Sequence, residues 1–193
     1  MTSLSKLFAH MAWADTRTLE SLRAMRDAPP QALDLLAHLL GAEHAWLRRV
    51  EMKSAAYTIW PTIGLDECER LSRANHAGFA SLLARADRLA LASIVTYVNN
   101  AGNTFDTPLE DILVHVAQHG MYHRGQVALL VRASGGAPIP TDYIVHQREL
   151  VQRELGTPDA RATPASPASP ASPASPASPA SPASPASPSA MSH

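Results

Sequence analysis

The chain has 193 residues, of which 46% are hydrophobic and 17% charged, and its formal net charge at pH 7 is −1. This length allows one sizeable hydrophobic core, and the near-neutral charge with interleaved acids and bases excludes a surface built to neutralise phosphates, so we expect no nucleic-acid partner. We expect a soluble, cytoplasmic protein without a membrane partner, because no stretch approaches a membrane span and the first residues lack a secretory pattern. The single cysteine, Cys68, excludes a disulfide framework and a cysteine-rich zinc motif.

Apolar side chains at helical spacing predict two long helices in the first part of the chain. The first stripe extends from Leu4 to Met25 and ends before two consecutive prolines, which cannot continue a helix. The second runs from about Pro30 to Lys53. A polar and aromatic loop follows it.

The middle of the chain predicts a third helix and then an extended crossover. Asp66 and Glu69 have the spacing of a capping box, and an apolar stripe continues from there to Ala86. Residues 94–98 are β-branched and aromatic, and residues 99–103 are typical of a turn, so a short hairpin is a possible form of this crossover.

The fourth long helix has the strongest local start signal. Thr107, Pro108 and Glu110 combine an N-cap, a proline at the first helical position and a capping-box acid, and the helix is predicted to run to about Arg132. Residues 142–154 predict a short fifth helix. Four main helices with one long crossover predict an all-α four-helix bundle.

A tandem Pro-Ala-Ser repeat begins at Pro164 and carries no large apolar side chain. Such a composition cannot offset the entropy of ordering a backbone. The sequence therefore predicts a folded domain over residues 1–156 and a disordered tail over residues 157–193.

Three histidines fall on the apolar stripes of the second and fourth helices. At about 100° per residue, His44 lies at the centre of the second helix's stripe, and His119 and His123 lie on that of the fourth. His38 falls on the opposite, solvent-facing side of the second helix, and His115 at the edge of the fourth helix's stripe.

A shared divalent metal would satisfy all three inward imidazoles at once. Each unpartnered buried nitrogen costs about 1–3 kcal/mol, and an i, i+4 histidine pair with a third ligand from a facing helix can bind one ion and leave a position open. The alternative is that each of His44, His119 and His123 hydrogen-bonds separately to a carbonyl or carboxylate.

Four separated segments of the chain stand out together: AWADTR (12–17), LAHLLGAEHAW (36–46), HVAQHGMYHRGQ (115–126) and GAPIPTDY (136–143). In this order they resemble the DinB/YfiT family. The similarity covers about residues 1–150, although the family more often has Asn where Asp15 stands.

The resemblance implies a four-helix bundle, commonly a homodimer, with one metal bound by a histidine of the second helix and the His-x-x-x-His pair of the fourth. Carried onto this sequence, the ligands are His44, His119 and His123. Three neutral imidazoles suit Zn²⁺ best, with Ni²⁺ or Fe²⁺ as alternatives.

The resemblance also implies an activity, because the characterised members of this family are transferases and isomerases that depend on a low-molecular-weight thiol. We therefore predict transfer of a small thiol to an electrophilic small molecule. A metal-dependent hydrolase, or a non-enzymatic, stress-induced metal-binding protein, would use the same ligands.

Two further side chains are candidate catalytic residues. Asp15 places a carboxylate in the apolar stripe of the first helix, where it could orient a ligating histidine or accept a proton. A buried ion pair with an arginine is the alternative for Asp15.

Tyr122 flanks the histidine pair and could line a pocket or a dimer interface. Arg124 is either a ligand for an acidic substrate group or a solvated surface residue.

Overall fold

The computed structural model describes residues 2–99 and 101–156. The prediction of an all-α fold is confirmed: long helices dominate the described residues, and a small antiparallel hairpin is added to them. The elements in chain order are α1 (Ser3–Arg23), α2 (Pro30–Val50), α3 (Leu65–Arg85), α4 (Arg88–Ala92), β1 (Ile94–Val98), β2 (Thr104–Pro108), α5 (Leu109–Ala133) and α6 (Tyr143–Glu154).

The four long helices pack side by side. α2 packs against α5 and α3, and α1 packs against the same two helices from the other side. α1 and α2 barely touch, so they lie diagonally opposite. The short α6 packs on the outside of α1.

The hairpin β1–β2 occupies the predicted crossover, with Val95 paired to Thr107. This pairing changes the start of α5. Thr107 belongs to β2, and Pro108 is the N-cap residue without a side-chain hydrogen bond, so the predicted Thr107 cap is wrong. The predicted capping box of α3 is wrong as well, because Gly64 is its N-cap and the Asp66 carboxylate accepts a hydrogen bond from Arg23.

The core consists of two apolar clusters, one toward each end of the long helices. Between them every long helix contributes buried polar residues. Asp15 of α1 lies between Met11 and Leu19 along the chain, and Glu43 of α2 lies between Leu40 and Leu47. α3 and α5 supply Asn75, His76 and Arg124 at the corresponding level.

No helix among residues 2–99 and 101–156 has the length and apolar character needed to cross a bilayer. The predicted disorder of the tail at 157–193 falls outside the described residues.

Candidate metal centre

The centre is built on α5, where His119 and His123 lie one helical turn apart. Their Nε2 atoms are 3.1 Å from each other. Two nitrogens bound to one tetrahedral ion at 2.0–2.1 Å would lie roughly 3.3 Å apart, so the pair already has the spacing of two ligands.

The third imidazole is that of His38 on α2. The ring centroid of His38 lies 4.7 Å from that of His123 and 5.4 Å from that of His119. One nitrogen from each of the three rings lies within 4.8 Å of the others, which is close enough for a single ion to join them. We call His38, His119 and His123 the histidine triad.

Hydrogen bonds to the remaining ring nitrogens fix two of these rings. Nδ1–H of His38 donates to the carbonyl oxygen of Ile59 at 3.0 Å, and Nδ1–H of His123 donates to Oε1 of Gln126 at 2.7 Å. Both rings therefore present an Nε2 lone pair, and this use of the second nitrogen is typical of metal-binding histidines. The donor set and its orientation fit a divalent ion.

The protonation of the triad also suits metal binding. Burial, together with the nearby His123 and His38 rings, lowers the pKa of His119 to about 4. Burial likewise lowers the pKa of His38. Both imidazoles are therefore neutral near pH 7, the form that ligates a metal.

His44, the predicted third ligand, does not lie in the triad, where His38 takes the third position instead. The backbone N–H of Ala56 donates to its Nε2 at 3.2 Å, and its Nδ1 faces Oδ1 of Asn75 at the same distance. Both ring nitrogens are thus used by α3 and by the loop after α2. The alternative of a separately hydrogen-bonded histidine describes His44.

The middle of α2 has no solvent-facing side, so helical periodicity could not predict which of its residues are buried. Every residue from Leu36 to Ala45 is buried, including His38 at 8% exposure, so the predicted solvent-facing position of His38 is wrong. α3, α5 and the loop of residues 51–64 cover different sides of the helix. The small residues in this stretch are the sequence signal for such packing: Ala37, Gly41, Ala42 and Ala45.

Asp15 also lies away from the triad. It is 0% exposed, and its two oxygens bind Nη1 of Arg124 at 2.8 Å and Nε2 of His76 at 2.9 Å. The alternative of a buried ion pair with an arginine therefore describes this residue. Arg124 is 2% exposed and is neither a surface residue nor open to a substrate.

Two aromatic side chains border the triad. Trp60 stacks on the His38 ring at 3.7 Å between centroids, and the Tyr122 ring lies edge-on to His123 at 5.1 Å. Tyr122 is 64% exposed, so its hydroxyl group is accessible beside the centre. The Trp46 ring contacts His115, which in turn lies 5.6 Å from His119.

A basic pocket lies between α2 and the loop that follows it. Arg48, Arg49 and Lys53 line it, and so does Ile59, whose carbonyl oxygen holds His38. Glu51 pairs with Arg48 at 2.7 Å and with Lys53 at 3.4 Å. Glu51 thus pairs with two of these cations, and the guanidinium of Arg49 lies over the Trp46 ring at 4.7 Å from its centroid.

Comparison with known proteins shows which family the chain belongs to. Protein DinB of Bacillus subtilis (strain 168) is 40% identical to the chain over 45 residues, which are 23% of this chain and 26% of that protein. The alignment thus spans about a quarter of the length of this curated relative. The sequence profile of the DinB family matches residues 1–154, and the chain therefore belongs to the DinB family.

Proposed function

We propose that this protein is a divalent-metal-dependent enzyme that transfers a low-molecular-weight thiol to an electrophilic small molecule. The observation that carries the proposal is the convergence of three imidazoles, from α2 and α5, with two of their Nδ1 atoms engaged by carbonyl oxygens. Zn²⁺ is the ion that such a donor set favours, and it would lower the pKa of a thiol that binds it.

The chain's own residues supply positioning and charge. Ile59 and Gln126 hold the rings of His38 and His123 so that their lone pairs face a common point. Trp60 covers one face of the His38 ring and excludes water from it. Tyr122 is an exposed group beside His123 that could donate a hydrogen bond to a leaving group.

The basic pocket supports a thiol cosubstrate that carries a carboxylate. Arg48 and Lys53 line the same pocket as Ile59, whose carbonyl oxygen holds His38. An anionic group of the cosubstrate would bind these cations in competition with Glu51.

The ligand assignment is tested by comparing His38→Ala with His44→Ala. Protein purified without added metal should contain one ion per chain by elemental analysis, and His38→Ala should contain close to none. His44→Ala should keep the ion but unfold at a lower temperature, because each partner it leaves unpaired costs about 1–3 kcal/mol. If His44→Ala loses the ion and His38→Ala keeps it, the assignment is wrong.

The reaction class is tested by omitting the thiol. The full chain is incubated with a panel of electrophiles, each with and without glutathione, bacillithiol or mycothiol, and product is followed by mass spectrometry. We expect a thiol adduct that forms only with thiol present and is lost in His38→Ala. Turnover that does not depend on thiol would instead establish a metal-dependent hydrolase.

A further inference from the structure

A second cluster of potential ligands lies in the centre of the molecule, between the two apolar clusters. It brings together one residue from each of α1, α2 and α3, namely Asp15, Glu43 and His76. Asp15 is 0% and Glu43 1% exposed. Arg124 of α5 closes the cluster through its bond to Asp15.

Glu43 is the unusual member of this cluster. Within the described part of the chain, neither of its carboxylate oxygens has a partner at full hydrogen-bond geometry, and the polar side chains that face it are Asn75 and Asp15. A buried carboxylate without a partner is strongly unfavourable, and a polar side chain in this state needs a proton, a water molecule or a cation. The guanidinium of Arg124 does not meet this need, because it bonds to Asp15 instead.

The geometry points to a divalent cation, and we propose that Asp15, Glu43 and His76 form a second metal site, distinct from the histidine triad. One ligand atom from each of the three lies within 4.8 Å of the other two. Two carboxylate oxygens and one imidazole nitrogen are a donor set that Zn²⁺, Fe²⁺ and Mn²⁺ accept.

The existing hydrogen bonds would orient these ligands. Oδ1 of Asp15 is held by Arg124 at 2.8 Å, which leaves Oδ2, now 2.9 Å from Nε2 of His76, to face the ion. That separation is close to the spacing of two ligands on one ion. The positive charge of Arg124 lowers the affinity for a cation, so this site binds more weakly than the triad.

An ion can reach the cluster from solvent along the groove between α1 and α3. Thr16 and Glu20 line one side of this groove, and Ser72 and His76 line the other. The His76 side chain is 17% exposed, so it is the member of the cluster that solvent reaches. The site is therefore buried but not closed.

The proposal is tested by counting Zn²⁺ in the full-length protein. Chelator-stripped protein is dialysed to equilibrium against micromolar Zn²⁺, and bound metal is measured by elemental analysis. Wild type should bind two ions per chain, whereas Glu43→Gln and His76→Gln should each bind one. Glu110→Gln, the same change at an exposed position of α5, is the matched control and should bind two.

The same measurement distinguishes a wrong assignment of the triad from a wrong assignment of the second site. His38→Ala should retain one ion, and the combination with Glu43→Gln should retain none. If Glu43→Gln and His76→Gln both bind as much Zn²⁺ as wild type, the second site is overturned while the triad stands. If His38→Ala binds as much as wild type but Glu43→Gln loses one ion, the triad fails and the second site stands. Glu43→Gln preserves shape, and the partly exposed His76 provides a second variant if the first does not fold.

Discussion

Two carboxylates in the same buried cluster have pKa values shifted in opposite directions. Burial by itself would raise the pKa of Asp15, but the charge of Arg124 and the hydrogen bond from His76 lower it below its ordinary value. Burial raises the pKa of Glu43 well above its ordinary value, and the nearby Asp15 charge adds to this effect. Without a cation, the cluster therefore favours the ionised form of Asp15 and the protonated form of Glu43.

Glu43→Gln should stabilise the metal-free protein increasingly as the pH rises. Above the ordinary glutamate pKa of 4.5, folded Glu43 keeps a proton that the unfolded chain releases, so wild type loses stability with rising pH up to the folded pKa. The slope is at most about 1.4 kcal/mol per pH unit. Because glutamine does not titrate, the free energy of unfolding of Glu43→Gln lacks this decrease with rising pH.

The measurement is thermal unfolding of both chelator-treated proteins between pH 4 and pH 8. The groups that face position 43, Asp15, His76 and Arg124, are the same in both proteins, so the difference between the two curves reports on position 43. The difference in melting temperature should be small at pH 4 and grow above pH 5. A difference that stays constant with pH would show that Glu43 is ionised in the folded state.

At the scale of the element, periodicity is informative where a helix has one buried face. On α5, Val116 and Val127 lie on the buried side, and the sequence predicts His119 and His123 on the same stripe. On α2, covered on several sides, the apolar stripe predicts a solvent-facing His38, whereas His38 and His44 are both buried. Only the tertiary contacts of each ring distinguish these two histidines.

The close approach of the loop to α2 depends on Gly41. A Cβ atom there would lie 2.7 Å from the carbonyl oxygen of Thr58, 2.8 Å from Cδ of Pro61 and 2.9 Å from the carbonyl oxygen of Ile59. Backbone atoms cannot yield as a flexible side chain does, so Gly41→Ala should displace the loop. Since the Ile59 carbonyl orients His38, both stability and metal affinity should fall.

We expect Gly41→Ala to lower the free energy of unfolding by about 1–3 kcal/mol, the usual cost of overpacking. Loss of a group that orients a metal ligand typically weakens metal binding about 10- to 100-fold. Gly125→Ala on α5 is the matched control, because nothing lies within 4 Å of its Cβ position, and it should stabilise by about 0.5–1 kcal/mol. Denaturant unfolding and a Zn²⁺ competition assay measure both effects; equal metal affinity in the two variants would contradict this role of the loop.

At the scale of the molecule, the last helix is tied to the first by polar contacts. Nε2 of His10 lies 2.7 Å from the carbonyl oxygen of Thr141, and the indole N–H of Trp13 donates to Glu149 at 2.9 Å. Arg17 forms an ion pair with the same carboxylate. These contacts make α6 part of the folded unit.

A chain that ends at Gly156 should therefore match the full chain in metal content and melting temperature. The family match ends at residue 154, and the Pro-Ala-Ser repeat beyond has no large apolar side chain that could join the core. A chain that ends at Gly136 is the control: it lacks α6, leaves Trp13 and Arg17 without their partner, and should unfold at a lower temperature. Calorimetry and elemental analysis of the three proteins measure this. A large loss of stability or metal on removal of residues 157–193 alone would mean that the folded unit extends beyond α6.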